Sequence, residues 1–249
     1  EQTDDGGLII GGRIGPGRKI QNNTSSDAYL IKTDASGAEL WSQTYGGDYF
    51  DTGYSVQQTA DGGYILSGFT SESNENLTDR DMYVVKTDGI GNEEWSQTYG
   101  DADTREMGYS VQQTMDGGYI IGGTRDHWPP SLGDSDMILV KTTEAGSEEW
   151  TQTFESEEGS EDSGYDVLQT ADECYVLIGT TSNEEGSDAY VIKTCEDGTQ
   201  PVSFFSPHSS ERKLEKVVDV MGREVNPVPN QILFYIYTDG SVEQKFIWN

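Results

Sequence analysis

Residues 55–69 read SVQQTADGGYILSGF, and residues 110–124 read SVQQTMDGGYIIGGT. Two further copies flank them, one shortened to EQTDDGGLIIGGR at residues 1–13 and one altered to DVLQTADECYVLIGTT at residues 166–181. Thr3, Thr59, Thr114 and Thr170 mark one position of the repeat. Trp41, Trp95 and Trp150 mark a second, in LWSQTYG, EWSQTYG and EWTQTF. Lys32, Lys86, Lys141 and Lys193 mark a third, in AYLIKTD, MYVVKTD, MILVKTT and AYVIKTC. The chain is a tandem array with a period of about 55 residues.

Each unit carries four short apolar runs, such as YSVQQT, GYILSGF, MYVVKTD and EEWSQTYG. They are rich in Val, Ile and Tyr, are bounded by Gly, Asp, Asn and Ser, and show no sustained helical period, so they read as strands. YSVQQT and WSQTYG alternate polar with apolar residues, as half-buried strands do. YILSGF and MYVVK are apolar throughout, as expected of strands covered on both faces. The DGG between the first two runs supplies the positive φ of a tight turn. A β-solenoid repeat would be far shorter. Four antiparallel strands per repeat predict an all-β fold, a partial β-propeller of about 55-residue four-stranded repeats plus a small C-terminal β module.

The formal net charge of −30 argues against nucleic acid and anionic membranes as partners and fits a strongly solvated surface. No apolar run approaches the roughly 18 residues of a transmembrane helix. The charge is uneven: residues 1–210 hold 39 acids and 10 bases, whereas residues 211–249 hold 6 and 5. The break falls at PVSFFSPHSSERK, where the repeat is lost. Residues 201–212 therefore read as a linker between a propeller over 1–200 and a module over 213–249.

The second module predicts a strand, LEKVVDVM, a Gly turn, a proline-bearing loop and a hairpin, ILFYIY and VEQKFIW joined by TDGS. On VVDVMGREV and LFYIYTDGSVEQKFI, residues 213–249 resemble the C-terminal sorting domain of the bacterial type IX secretion system. Met221 stands where that family usually has Leu, and Thr238 where an acid is common. The resemblance implies a Bacteroidota-type source and the type IX machinery as partner. It also implies a secreted or outer cell-surface location, with Gly222, Arg223, Asp239 and Gly240 as the sorting-signal residues. The repeats resemble the DGGYI-and-KTD propeller repeats of secreted proteins from such bacteria, which implies fold and location more than activity.

The sequence begins in mid-repeat and without a charged-then-apolar leader. Framed from the Trp strand, it holds an incomplete first blade at 1–34 and repeats at 41–88, 95–143 and 150–195. This framing predicts a fragment of a larger propeller.

The catalytic inventory is thin. There are two His, His127 and His208, two Cys, and none of the common nucleophile, phosphate-binding or zinc-binding patterns. Two carboxylates could serve a glycosidase, but 45 acids nominate no pair. The sequence leans against an enzyme without deciding it. No cofactor or specific metal is called for. The turns at Asp34 and Asp88 lack the dense ligand spacing of a calcium loop, and the acidic loop at 155–166 could attract Ca²⁺ only nonspecifically. The clearest break in the repeat is RDHWPPSLGDSD at 125–136. There Trp128, beside His127 and stiffened by two prolines, offers a ring for a sugar or a partner, or one that folds back on its own blade. Two functions stand: a noncatalytic secreted or cell-surface scaffold that binds glycan or a surface protein, or a secreted glycan-active hydrolase whose site lies partly in sequence beyond this chain.

The repeated Lys recurs with an Asp five residues earlier, Asp27, Asp81, Asp136 and Asp188, and predicts a structural ion pair or hydrogen-bond ladder, once per blade. The two cysteines change together in one repeat. Cys174 stands where the other units have Gly7, Gly63 and Gly118, and Cys195 where they have Asp34, Asp88 and Thr143. A symmetric hairpin register pairs Gly179 with Tyr190 and Cys174 with Cys195, within reach of a disulfide.

Overall fold

A computed structural model describes residues 1–15, 19–20, 23–71, 80–101, 104–127, 135–156, 159–183, 186–195, 202–205, 214–219, 223–227, 232–237 and 242–246. Among these residues there are strands and no α-helix. The first sheet contains β1 (Leu8–Ile14), β4 (Asp27–Thr33) and β5 (Glu39–Tyr45). A minute hairpin, β2 (Lys19–Ile20) and β3 (Asn23–Thr24), lies between β1 and β4 in the chain. Three antiparallel meanders follow. They are β6 (Asp51–Gln58), β7 (Tyr64–Ser71), β8 (Arg80–Thr87) and β9 (Glu93–Tyr99); then β10 (Thr104–Gln113), β11 (Tyr119–His127), β12 (Ser135–Thr142) and β13 (Glu148–Phe154); then β14 (Glu161–Gln169), β15 (Tyr175–Asn183), β16 (Gly186–Thr194) and β17 (Val202–Phe205). Each sheet is a propeller blade. Successive blades meet through the parallel contacts Arg80↔Arg105 and Ser135↔Glu161.

The blades are phased differently from the sequence framing. The Trp strand pairs with the KT strand before it, Lys32↔Trp41, Lys86↔Trp95 and Lys141↔Trp150, and so closes its own blade. The reason is local. The five-residue turns at 34–38, 88–92 and 143–147 join those two strands, with Asp34 and Asp88 accepting backbone N–H bonds inside their own turns. The first sheet accordingly extends beyond residue 34 to include β5. The stretch read as linker also starts differently: Val202–Phe205 pairs with β16, Tyr190↔Phe205 to Lys193↔Val202, and completes the fourth blade in place of a Trp strand.

Among the described residues the core of the blade array has three layers, each between neighbouring blades. Ile9, Leu30, Tyr64 and Leu66 belong to the first, Ile65, Val84, Ile121 and Val140 to the second, and Ile120, Leu139, Leu177 and Ile192 to the third. This explains the continuous apolar runs: β7 and β8 have a blade on each side. At the two ends of the array Leu8, Ile10, Leu168 and Ile178 are exposed.

The fifteen repeated letters are the fittings between blades. The second Gln of SVQQT caps the preceding blade's DGG turn, Gln58 Oε1 accepting from Asp4 N, Gln113 from Ala60 N and Gln169 from Met115 N, each at 2.8 Å. The first Gln accepts from the next blade's backbone, Gln57 from Gln113 N and Gln112 from Gln169 N. Each Trp packs against the DGGY tyrosine of the following blade: Trp41 on Tyr64, Trp95 on Tyr119 and Trp150 on Tyr175, with centroids 5.6–5.7 Å apart. These repeat residues are structural, and the repetition serves stacking.

Lys32, Lys86 and Lys141 are buried and Lys193 is part-exposed, but the partners of these repeated lysines are not the aspartates five residues earlier. Lys32, Lys86, Lys141 and Lys193 pair with Asp5, Asp61, Asp116 and Asp172, the aspartate of each DGG-type turn, at 2.6–2.8 Å. An odd spacing along a strand places two side chains on opposite faces, so the predicted partner was on the wrong side. Lys86 and Lys141 gain a second carboxylate from Glu94 and Glu149, where the first blade has Leu40 opposite Lys32's side of the hairpin.

The C-terminal segment forms a separate three-stranded antiparallel sheet, β18 (Leu214–Asp219), β19 (Ile232–Tyr237) and β20 (Val242–Phe246), with Leu233 and Val217 buried.

Candidate functional site

The innermost strand of each full blade carries a bulge. The ladders skip one residue between Gly53 and Ser55, between Gly108 and Ser110, and between Gly164 and Asp166. The skipped residues are Tyr54, Tyr109 and Tyr165. A bulge turns one side chain out of the pleat's alternation. Here it turns the same ring out three times, and the rings meet across blades: Tyr54 and Tyr109 at 5.0 Å between centroids, Tyr109 and Tyr165 at 5.9 Å. Tyr54 and Tyr165 are 44% and 51% exposed, so the ladder faces solvent. Burial pushes the Tyr109 phenol up to about 12, which keeps it a neutral hydrogen-bonding group.

A cavity of about 380 Å³ opens beside the ladder between the third and fourth blades. Arg105, Tyr109, Asp126, His127, Glu161 and Tyr165 line it, with serine and threonine hydroxyls completing the wall. Arg105 donates to Asp126 at 2.9 Å. Burial raises the Asp126 carboxyl, while Arg105 pulls it back. The wall therefore offers aromatic faces, a fixed guanidinium–carboxylate pair and several hydroxyls, a lining suited to a polyhydroxylated ligand.

A second feature recurs three residues before each ladder tyrosine. Asp51, Glu106 and Asp162 are buried carboxylates, 0–1% exposed, at the entry to the innermost strand. Asp51 accepts from Gly47 N, and Asp162 from Ser156 N and Oγ, so both fasten the loop arriving from the previous blade. Glu106 is one methylene longer. It accepts from Thr104 Oγ1 at 2.5 Å and lies 3.4 Å from Arg125 Nε. Burial raises it to about 7 against the opposing pull of Thr104 and Arg125.

Of the residues singled out from sequence, His127 lies at the cavity mouth, exposed at the end of β11. Trp128 lies outside the described residues, as do Gly222, Asp239 and Gly240. Arg223 is exposed, beside the bridge between Val218 and Glu224. Cys174 and Cys195 are joined by a disulfide, and the neighbouring register pairs Tyr175 with Thr194 and Gly179 with Tyr190. The structure explains why these two positions change together. A Cβ on Gly118 would lie 2.9 Å from Lys141 Nζ and 2.1 Å from the Thr142 carbonyl oxygen, so glycine there makes room for the buried ammonium. With Cys174 at that place, the Lys193 side chain is 37% exposed, against 0–4% for the other three. The sequence reading missed the tyrosine ladder. Its trace was present as GYS, GYS and GYD, but those tyrosines read as ordinary members of alternating strands.

The fold and site thus define a class, an array of propeller blades with an aromatic, polar cleft along its inner strands. No family model matches the chain, and no curated protein does. Among solved structures it is similar to the endo-arabinase from Bacteroides thetaiotaomicron, at 10% identity and a TM-score of 0.45 over 98% of this chain and 94% of that one. We take neither activity nor ligand from a likeness of that degree.

Proposed function

We propose that the protein is a noncatalytic, secreted or cell-surface propeller scaffold that binds glycan along its tyrosine ladder. The observation that supports this reading is the triple repetition of a bulged, exposed tyrosine beside a polar cavity. A stacking residue needed only for the fold would be buried like Tyr64, Tyr119 and Tyr175. Rings spaced across neighbouring blades suit successive sugar units, whose C–H faces stack on aromatics while their hydroxyls meet Arg105, Asp126 and the serines. Tyr109→Ala tests the reading. Binding on a glycan array is expected to fall at least about tenfold with little change in melting temperature, because the ring is part-exposed. Unchanged binding would sink it.

Export is the second half of the proposal. Residues 213–249, through their resemblance to a type IX sorting domain, would carry the protein across the outer membrane of a Bacteroidota-type cell. Deleting them is expected to trap the protein in the periplasm, and surface display that persists after the deletion removes the assignment. The hydrolase alternative draws on one observation, two carboxylates, Asp126 and Glu161, in one cavity. Arg105 already engages Asp126, which opposes its use as a proton donor. Glycan cleavage abolished by Asp126→Asn would favour that alternative.

A further inference from the structure

The ladder is cationic at one end, in a chain of net charge −30. Residues 1–210 hold ten bases. Four are the lysines of the blade hairpins. Of the other six, three cluster on the second and third blades: Arg80, Arg105 and Arg125. Two of these three are neutralised, Arg105 by Asp126 at 2.9 Å and Arg125 by Asp101 at 2.6 Å.

Arg80 is different. Among the described residues no carboxylate lies within ion-pair distance of it. Its guanidinium instead lies over an aromatic ring, with Cζ 4.6 Å from the centre of Phe69. Phe69 packs on Tyr54 at 5.9 Å, and Tyr54 on Tyr109 at 5.0 Å. Arg80 is also the Cα partner of Arg105 across the contact between blades, so it sits beside the cavity wall. Its charge is felt by both Tyr109 and Asp126. A cation–π contact with a ring leaves the N–H fork of a guanidinium without an acceptor in that ring, and the fork can donate two parallel bonds to a carboxylate. Among the described residues Arg80 is held without a carboxylate, so none of them competes there with an external one.

We infer that the ladder selects an acidic sugar, a uronate whose ring stacks on Tyr54 and Tyr109 while its carboxylate pairs with Arg80. This rests on the glycan-binding reading and narrows it to a ligand class. The surrounding negative charge repels polyanions at long range, so specificity has to come from a short-range contact of this kind.

The test titrates the full chain with trigalacturonate and trimannuronate, each beside its methyl ester, which keeps the sugar and removes the charge. For at least one of the two sugars, the free acid is expected to bind about tenfold more tightly than its ester. Arg80→Gln is expected to abolish that difference by weakening the acid alone, and Tyr109→Ala to weaken acid and ester together. Thermal melting of each variant monitors the fold. Equal binding of acid and ester, or a preference that survives Arg80→Gln, overturns the uronate inference and leaves glycan binding standing. Failure of the unaltered protein to bind any of the four overturns the uronate inference and counts against the glycan reading itself.

Discussion

The ammonium of Lys141 lies 2.7 Å from the carboxylate of Asp116, which is 25 residues back along the chain, and the lysine side chain is fully buried. The aspartate also accepts from Thr114 Oγ1 and Gly118 N, so one carboxylate ties the turn to itself and to the next strand. The lysine donates as well to the Thr142 carbonyl. The same assembly recurs at Lys32 with Asp5 and at Lys86 with Asp61.

Asp116→Ala is expected to cost about 2 kcal/mol, since it removes one partner of a buried charge while Glu149 remains. Asp5→Ala is expected to cost more, because Lys32 has no second carboxylate among the described residues. Urea unfolding midpoints at fixed slope measure both. Equal and negligible losses would mean that water satisfies the ammonium.

Acid should dissolve these clasps within a defined range. Burial pushes Asp61 and Asp116 up, but the lysine, threonine and glycine donors outweigh it and hold both at about 2. A depressed carboxylate adds stability that is complete above its ordinary value near 3.8 and is lost as pH falls through the folded value. The melting temperature is expected to drop between about pH 4 and pH 2, and less steeply in Asp116→Asn.

Glu106 runs in the opposite direction. Its folded value of about 7 lies above the ordinary 4.5, so the fold prefers the neutral acid and loses stability as pH rises through that interval. Glu106→Gln keeps the acceptor for Thr104 and removes the titration. It is expected to raise the melting temperature at pH 8 by about 2–4 °C and to leave it nearly unchanged at pH 4. A uniform shift at both pH values would show that the effect is not ionisation.

The fourth blade should depend on its disulfide. Reduction is expected to cost about 2–3 kcal/mol, given the 21-residue separation. Cys174→Gly combined with Cys195→Thr recreates the Gly118 and Thr143 arrangement and is expected to recover part of this loss by admitting Lys193 to the interior. Two reactive thiols in denatured, unreduced protein prepared from an oxidising compartment would contradict the bond.

Gly146 and Gly117 separate packing from backbone strain. Both have positive φ, +77° and +88°. A Cβ at Gly146 would meet the Trp95 ring at 2.8 Å, whereas one at Gly117 would meet nothing within 4 Å. Gly117→Ala is expected to cost about 1 kcal/mol and Gly146→Ala at least about 1 kcal/mol more. Equal costs would show that the Trp95 contact between blades yields freely.

Much of the architecture was legible in the residues because a tandem repeat states its own period. Strand type followed from alternation against continuous apolarity, and the turns followed from DGG and from Asp34 and Asp88. The coincidence of Cys174 and Cys195 in one altered unit was visible by alignment alone. What the letters could not carry was neighbourhood across the sheet. The Trp strand is equally adjacent in sequence to the strands before and after it, and only the hydrogen-bond ladder of Lys86 with Trp95 assigns it to the preceding blade. The lysine's partner depended on which face of the strand it occupies, and the nearer aspartate in sequence lay on the other face. The tyrosine ladder depended on a backbone bulge, a one-residue slip that alternation in the sequence conceals and that places Tyr54, Tyr109 and Tyr165, 55 and 56 residues apart, in contact through space. Sequence by itself determined the repeat, the strands and the turns, because these are local consequences of side-chain pattern and backbone freedom. The tertiary structure decided the partners, because partnership is a matter of face, register and the blade that lies alongside.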